Sequence, residues 1–314
     1  MVQTKWFMIV NPTAGGGRGL LDLPTILRQL TDEKILYDAH FTEHKYHAVE
    51  LTVTAIEQGY RKIIIIGGDG TIHEVVNGLF IQQKIAPTEA TVGIIRVGTG
   101  VEWARNYGYS HGDYTKAIAA IKRGATQLRD IGIVEYEESL FPQKRYMVGV
   151  GGTGFDAFVT QQFTRKIMAM REGRITSIWS YIWVMLKSYF RYSNQRAKVY
   201  LDDELIYDRN LFSLAFGLSK FNGGGFQQLP KATETSGEFD MTIFRPLHFW
   251  HLLFRAKYLF NGELYRIGHI EHHKGRKIHI EGANYMDVEI DGELLGGTPL
   301  TLQILPQAIT TIRE

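Results

Sequence analysis

Four consecutive isoleucines, residues 63–66, run straight into Gly67-Gly68-Asp69-Gly70-Thr71. No other stretch restricts the fold as much. β-branched side chains without polar alternation fit a strand buried on both faces, as in a parallel sheet covered by helices. Three glycines within four residues then end the strand. Glycine reaches positive φ and lets a backbone come close to a ligand. Beyond Thr71, Ile72, Val75, Val76 and Leu79 recur at spacings of three and four, the period of an amphipathic helix. The stretch therefore predicts a strand, a glycine turn with one carboxylate, and a helix N-terminus. Such a terminus offers amide donors and a partial positive charge, which suit phosphate. An acid beside phosphates suits Mg²⁺. A lone Gly-Asp-Gly would read as a tight turn with a surface aspartate; the isoleucines before it favour the phosphate reading.

The rest of the first hundred residues repeats this plan. Residues 6–10 read as a strand that ends at Asn11-Pro12-Thr13-Ala14-Gly15-Gly16-Gly17-Arg18-Gly19, and Leu20, Leu23, Leu27 and Leu30 then carry a helical pattern. No Gly-Lys-Ser/Thr closes this loop, so it is not a Walker A sequence, and alone it fits a flexible connector as well as a phosphate cradle. Residues 35–42 predict a second strand, 47–58 a helix, 63–66 the third strand, and 91–95 a fourth that runs into Val97-Gly98-Thr99-Gly100. Alternating strands and helices argue for a mostly parallel sheet with helices on both faces. The three glycine loops then share one carboxyl edge, where ligands of open α/β sheets bind.

From about residue 130 the pattern changes to short strands with turns: 130–134, 145–150, 198–201, 211–216, 240–244, 277–280 and 287–290. These predict a β-rich second domain, a sandwich or an open barrel. The boundary is expected near 128, giving domains of 1–128 and 129–298, with the strand-like 299–314 open to completing the first.

Composition excludes several classes. Of 314 residues 44% are hydrophobic and 22% charged, which is ordinary for a globular protein. A net charge of +2 gives no bulk attraction to nucleic acid. The absence of cysteine excludes disulfides and thiolate metal sites and is compatible with the cytosol. The start lacks a signal-peptide pattern, and no run reaches the roughly 18 uncharged apolar residues of a spanning helix.

Asn11-Pro12, the Gly67-to-Thr71 motif with Glu74, Val75, Asn77 and Gly78 behind it, Gly98-Thr99-Gly100 before Ala104-Arg105, Gly154-Phe155-Asp156-Ala157, Gly223-Gly224-Gly225 and Asp291-Gly292-Glu293 occur in that order. The series resembles the diacylglycerol kinase catalytic-domain family, in its bacterial lipid kinase branch, related to sphingosine and ceramide kinases. Gly-Gly-Asp-Gly-Thr alone is shared with NAD kinases. The resemblance implies an α/β N-terminal domain with a parallel sheet, similar to NAD kinase and phosphofructokinase, and a β-sandwich C-terminal domain, with ATP in the cleft between them. It implies transfer of the γ-phosphoryl group of ATP to a hydroxyl of a diacylglycerol-like or other lipid. By position, Asn11, Pro12, Thr13, Ala14, Gly15, Thr42 and Thr99 would contact the nucleotide, and Gly67, Gly68, Asp69, Gly70, Thr71, Ile72 and His73 would hold its phosphates. Asp69 would act through Mg²⁺, and Glu293 would be the general base. The same resemblance implies a lipid partner, a cytoplasmic protein in peripheral contact with a membrane, and leaves a homodimer open.

The chain also departs from the family pattern. Val101 and Glu102 stand where Asn and Asp are usual, Gly149 where Asn is frequent, and Ser236 where the structural-metal loop usually carries a carboxylate. Thr233, Ser236 and Glu238 would supply that second metal site, and serine is a poor substitute for a carboxylate toward Mg²⁺. Two further readings follow: a non-catalytic lipid- or nucleotide-binding protein, motivated by these changes, and an NAD kinase, resting on residues 67–71 alone. Two aromatic stretches with basic neighbours, 175–192 and 247–259, fit either a membrane-surface face or a sheet cover. His269, His272 and His273 with Glu271 fit a solvated basic turn better than a zinc site.

Overall fold

The computed structural model describes residues 5–97, 114–138, 141–169, 178–222, 226–250 and 257–313. The chain forms two compact units, residues 1–131 with 306–314, and residues 132–305.

The first unit is a parallel sheet of β1 (Trp6–Val10), β2 (Tyr37–Phe41), β3 (Lys62–Gly67) and β4 (Thr91–Arg96), in the order β4-β3-β1-β2. Thr310 and Thr311 pair in parallel with Thr91 and Val92 beyond β4. All four isoleucines are 0% exposed, so the unbroken apolar run does report a strand covered twice. Ile64 and Ile66 join Met8, Val10, Ile26, Leu30, Ile118 and Ile121 on one face. Successive side chains alternate, so Ile63 and Ile65 face the helices α3 (His47–Glu57) and α4 (Asp69–Ile81), which pack on each other. That second contact requires Gly78: a Cβ there would stand 2.7 Å from Thr52 Cβ and 2.9 Å from the Val49 carbonyl.

The helical pattern after β1 is broken where the sequence suggested continuity. α1 (Ala14–Leu21), non-helical across Gly15, Gly16 and Gly17, stops and α2 (Leu23–Asp32) restarts at Asp22. Pro24 explains the break, since proline fits only a helix's first turn. The Asp22 carboxylate fixes it, accepting from Arg18 Nε at 2.9 Å and the Tyr114 hydroxyl at 2.6 Å. Leu20 consequently turns outward, and Ile26 rather than Leu20 joins Leu23 and Leu30 in the core.

The second unit is a β-sandwich. One antiparallel sheet runs β12-β11-β10-β7-β14-β15, comprising β7 (Val150–Gly154), β10 (Ser213–Gly217), β11 (Phe239–Phe244), β12 (Ile270–Gly275), β14 (Asp287–Ile290) and β15 (Glu293–Ile312). The other layer contains β8 (Gln195–Leu201), β9 (Glu204–Leu211) and β13 (Lys277–Gly282), with the hairpin β5 (Thr126–Glu138) and β6 (Phe141–Met147). β15 is long enough to serve both, pairing β14 near Glu293 and β13 from Leu300 to Gln303. Phe216, Phe239, Met241, Val288 and Ile290 meet Val199, Ile278, Ile280, Leu300 and Leu302 between the layers. The first sheet's outer face is covered by two helices, Phe155–Ala169 and Ile178–Tyr189, through Phe155, Val159 and Val184.

The histidine stretch is corrected here. Residues 270–275 are the strand β12, paired along its length with β11, not a solvated turn. His272 Nε2 lies 3.0 Å from the buried Asp240 carboxylate, and His273 lies 3.7 Å from Glu271. Cross-strand pairing with an apolar neighbour, invisible in the charged local sequence, decides the outcome.

Candidate functional site

The first unit's strand order places β1 and β3 side by side, while the chain leaves β1 toward β2 on one side and returns to β3 on the other. This is a topological switch point, where loops at the carboxyl edge diverge and open a crevice. Asn11 stands on one side and Gly67 on the other. The Asn11 amide donates to Ile66 O at 2.9 Å, and its Nδ2 donates to Thr71 Oγ1 at 3.0 Å. Asn11 Oδ1 accepts from the amide and hydroxyl of Thr13, at 3.1 and 2.9 Å. One asparagine thus fixes both loops. Thr42, at the end of β2, donates its amide to Val10 O at 2.9 Å, bringing a third loop to the same edge.

Glycine is needed at position 67, because a Cβ would meet the Thr71 side chain at 2.5–2.9 Å. Position 70 is the opposite case, with nothing within 4 Å of a Cβ. Gly68 caps α4 in an extended conformation, and Asp69 is its first residue. First-turn amides have no intrahelical acceptor and face an anion readily. Gly15, Gly16 and Gly17 all hold positive φ, between 61° and 96°, and Pro12 and Ala14 flank the same loop. The side chains of Ile72 and His73 are buried, so these two serve the loop through backbone and packing. Glu74 is also structural: its carboxylate accepts from Tyr46 N and Ala48 N, both at 3.1 Å, at the start of α3. Thr99, Val101, Glu102 and the Gly223-Gly224-Gly225 run lie outside the described residues.

The second unit carries an acid-rich turn. Asp291 and Gly292, with φ of 51° and 86°, join β14 to β15, and Ile290 pairs with Glu293 across them. Two central residues at positive φ make a tight hairpin of the Asp-Gly kind. The turn is tied from three sides. Asp291 Oδ2 and Oδ1 accept from Val148 N at 3.0 Å and Gly149 N at 2.8 Å, and Asp291 N donates to Val150 O at 2.8 Å. Glu289 Oε1 accepts from Gly292 N at 2.6 Å. Glu293 follows, half-buried, as the first residue of β15. Gly149 belongs to this clamp, since a Cβ there would stand 2.9 Å from Asp291 Oδ1.

Two acids beneath the turn went unassigned in the sequence. Burial pushes the Glu289 carboxyl up to about 8, against the Gly292 amide and with help from Asp156 and Asp291. Burial likewise pushes Asp156 up to about 6, although Gln228 Nε2 donates to both its oxygens at 3.0 Å. Val288-Glu289-Ile290 alternates apolar and polar residues, a pattern that does not mark Glu289 as buried. It is buried because the helix Phe155–Ala169 covers that face of β14. The only sequence signal was Asp156 inside Gly154-Phe155-Asp156, at this helix's start.

The implied metals fare differently. One carboxylate, Asp69, at a glycine turn and helix N-terminus fits Mg²⁺ brought with a polyphosphate, because Mg²⁺ uses one or two carboxylates plus phosphate oxygens. The loop with Thr233, Ser236 and Glu238 does not fit a structural cation. Ser236 Oγ lies 3.1 Å from Thr233 O and 3.0 Å from Glu238 O, so a neutral hydroxyl already occupies both carbonyls. The neighbouring Asp240 carboxylate is engaged by His272 and Lys274. Among the described residues, His44, His47 and Glu50 are a group whose ligating atoms lie within 4.8 Å of one another. They are surface residues, and the parallel stacking of the two imidazoles, 9° between planes, keeps their in-plane lone pairs from converging.

Comparison with known proteins bears on this geometry. Residues 5–134 match the diacylglycerol kinase catalytic domain, and residues 149–313 match the YegS C-terminal NAD kinase beta sandwich-like domain. A protein named diacylglycerol kinase from Mycobacterium tuberculosis is 25% identical over 97% of this chain and 94% of its own. Another of that name from Bacillus subtilis is 27% identical over 93% of this chain and 90% of its own. A crystal structure of a diacylglycerol kinase from Bacillus anthracis superposes with a TM-score of 0.70 at 20% identity, covering 99% of this chain and 97% of that one, a likeness of fold.

Proposed function

Since the chain belongs to the family that joins a diacylglycerol kinase catalytic domain to a YegS C-terminal NAD kinase beta sandwich-like domain, and is a lipid kinase, we propose that it transfers the γ-phosphoryl group of ATP to the hydroxyl of a diacylglycerol-like lipid. The observation that carries this reading is the Asn11–Thr71 hydrogen bond at the switch point, which holds two glycine loops together with Asp69 at the head of α4. Phosphoryl transfer needs positioning and charge neutralisation more than covalent help from the protein. In this proposal the loop amides of residues 11–15 and 67–71 orient the polyphosphate, and Asp69 holds the metal side. Mg²⁺, when bound, supplies neutralisation of the β- and γ-phosphate charge. Glu293 takes the proton of the lipid hydroxyl. The freed oxygen bonds to the γ-phosphorus, the bond to the bridging oxygen breaks, and ADP leaves with that electron pair. The lipid is met at a bilayer surface, and among the described residues no helix is long and apolar enough to cross one.

Radiolabel transfer from ATP to a panel of diacylglycerol, phosphatidylglycerol and sphingoid lipids tests the reading. Transfer to a glycerolipid, abolished by Asp69→Ala and by Glu293→Ala, is the expected result. Full activity in either variant overturns the role given to that residue. Lipid binding by calorimetry with no transfer to any lipid overturns the catalytic reading in favour of a binding protein.

A further inference from the structure

We propose that the outward face of the helix Ile178–Tyr189, together with residues 247–250, is a docking surface for an anionic bilayer. The choice of a bilayer rests on the lipid-substrate reading above; the surface itself stands on its own geometry.

A helix that covers a sheet ordinarily buries an apolar stripe and turns charge to water. This one does bury its stripe, with Val184 and Ser188 inward. Its outward face carries Trp183, Lys187 and Phe190, at intervals of four and three, with Arg191 beside them. Trp183 is 66% exposed and Phe190 71% exposed. The Phe190 ring meets Phe249 at 5.0 Å, and Phe249 meets Trp250 at 5.5 Å. Trp250 is in turn 62% exposed. The Tyr189 hydroxyl donates to Leu247 O at 2.7 Å and ties the two segments together, so the aromatic surface is built on a fixed support. Leaving three large rings in water wastes the stabilisation that burial would give. Tryptophan, with an apolar body and an N–H tip, suits the headgroup level of a bilayer.

Charge selects the occupant. No aspartate or glutamate occurs in residues 173–201 or 241–262, in a chain with 33 acidic residues. The cations Lys187 and Arg191 stand exposed within the first of these acid-free stretches of sequence. A second copy of the same face would bring cation against cation. A neutral apolar partner gives no reason to exclude acids. Anionic phospholipid headgroups answer both the rings and the charges, each surface Lys or Arg adding about fivefold in affinity.

Vesicle sedimentation of the full chain tests this, with vesicles of phosphatidylcholine alone and of phosphatidylcholine mixed with phosphatidylglycerol. The protein is expected to prefer the mixed vesicles, and high salt to reduce that preference. Trp183→Ala with Trp250→Ala should lower binding to both vesicles by about tenfold. Lys187→Gln with Arg191→Gln should lower binding to the mixed vesicles by about 25-fold and remove the preference. Melting temperatures equal to wild type show that the variants fold. Variants that bind like wild type, a wild type without preference for the anionic vesicle, or a dimer that Trp183→Ala converts to monomer each overturn the surface. Transfer to a short-chain diacylglycerol dispersed in detergent reads the kinase proposal separately. Vesicle binding as expected without such transfer sinks the substrate and keeps the surface; transfer with variants that bind like wild type sinks the surface and keeps the substrate.

Discussion

The two units each present an acid on a glycine turn, and the turns are built in opposite ways. Among the described residues, neutral groups hold the loops beside Asp69: strand carbonyls, the Asn11 amide and the Thr71 hydroxyl, while a Cβ at Gly70 would meet nothing within 4 Å. Around Glu293 the scaffold is itself made of carboxyl groups. Asp291 and Glu289 clamp the turn through their carboxylates, and Asp156 lies near enough to help raise Glu289. A neutral cradle with outward amides suits a ligand that brings its own negative charge. Beneath the other turn, burial makes Glu289 and Asp156 hold their protons above the ordinary carboxylate range. In the proposed reading the first turn takes the polyphosphate and the second accepts a proton.

The sharpest way to break this comparison is to remove each acid in turn. Asp69→Asn and Glu293→Gln should each lower kcat/KM for lipid phosphorylation by about a hundredfold or more. The two should differ in kind: Asp69→Asn should shift the Mg²⁺ dependence, whereas Glu293→Gln should leave ATP binding intact by calorimetry. Equal weakening of ATP binding by both would dissolve the distinction. Next come the glycines. Gly67→Ala forces a Cβ to 2.5 Å from Thr71 Oγ1 and should destabilise the protein by about 1–3 kcal/mol in thermal unfolding. Gly70→Ala meets no neighbour and should leave stability equal or raised by up to about 1 kcal/mol, yet increase the KM for ATP.

The carboxyl-rich turn should announce itself through pH. Glu289 is an acid whose folded-state value, about 8, lies above its ordinary 4.5, so the folded chain binds the extra proton between those limits. Stability is then fully present below about pH 4.5 and falls as pH rises toward 8. Asp156 adds a similar fall between its ordinary 3.8 and about 6. Glu289→Gln keeps an oxygen for the Gly292 amide and cannot ionise. Its melting temperature should therefore lose most of the slope between pH 6 and 8 and exceed wild type at pH 8, as a pH series of thermal unfolding would show. Parallel curves for variant and wild type would remove the buried charge from the account.

How far the sequence told this in advance also differs between the turns. The parallel α/β unit was legible because Ile63, Ile64, Ile65 and Ile66 admit one environment, and the glycines after them one kind of corner. The second unit was legible as β-rich from its short strands, and as a sandwich only through the family resemblance. What stayed hidden depended on partners distant in the chain. Nothing local places Glu289 under the helix Phe155–Ala169, and residues 270–275 looked like a turn until β11 paired with them. Leu20 followed the helical period but lost its place to the restart at Pro24. Local pattern reports a residue's own element well and the element packed over it poorly.

The smallest expected effect separates the units by their need for a cation. Magnesium belongs, in this account, to the Asp69 side with its polyphosphate. The second unit closes its 233–238 loop with the Ser236 hydroxyl between the Thr233 and Glu238 carbonyls and needs no ion there. A chelator should therefore leave the melting temperature of the nucleotide-free protein unchanged. Ser236→Ala, which removes the closing hydrogen bond, should cost about 1 kcal/mol. Ser236→Asp restores a carboxylate beside two carbonyls, a donor set that suits a hard cation. That variant should gain a melting temperature that rises with Mg²⁺ and falls with chelator. A wild-type melting temperature that drops on chelation would instead mean that both units carry a cation, and the contrast between a ligand-borne charge and a self-contained one would fail at this loop.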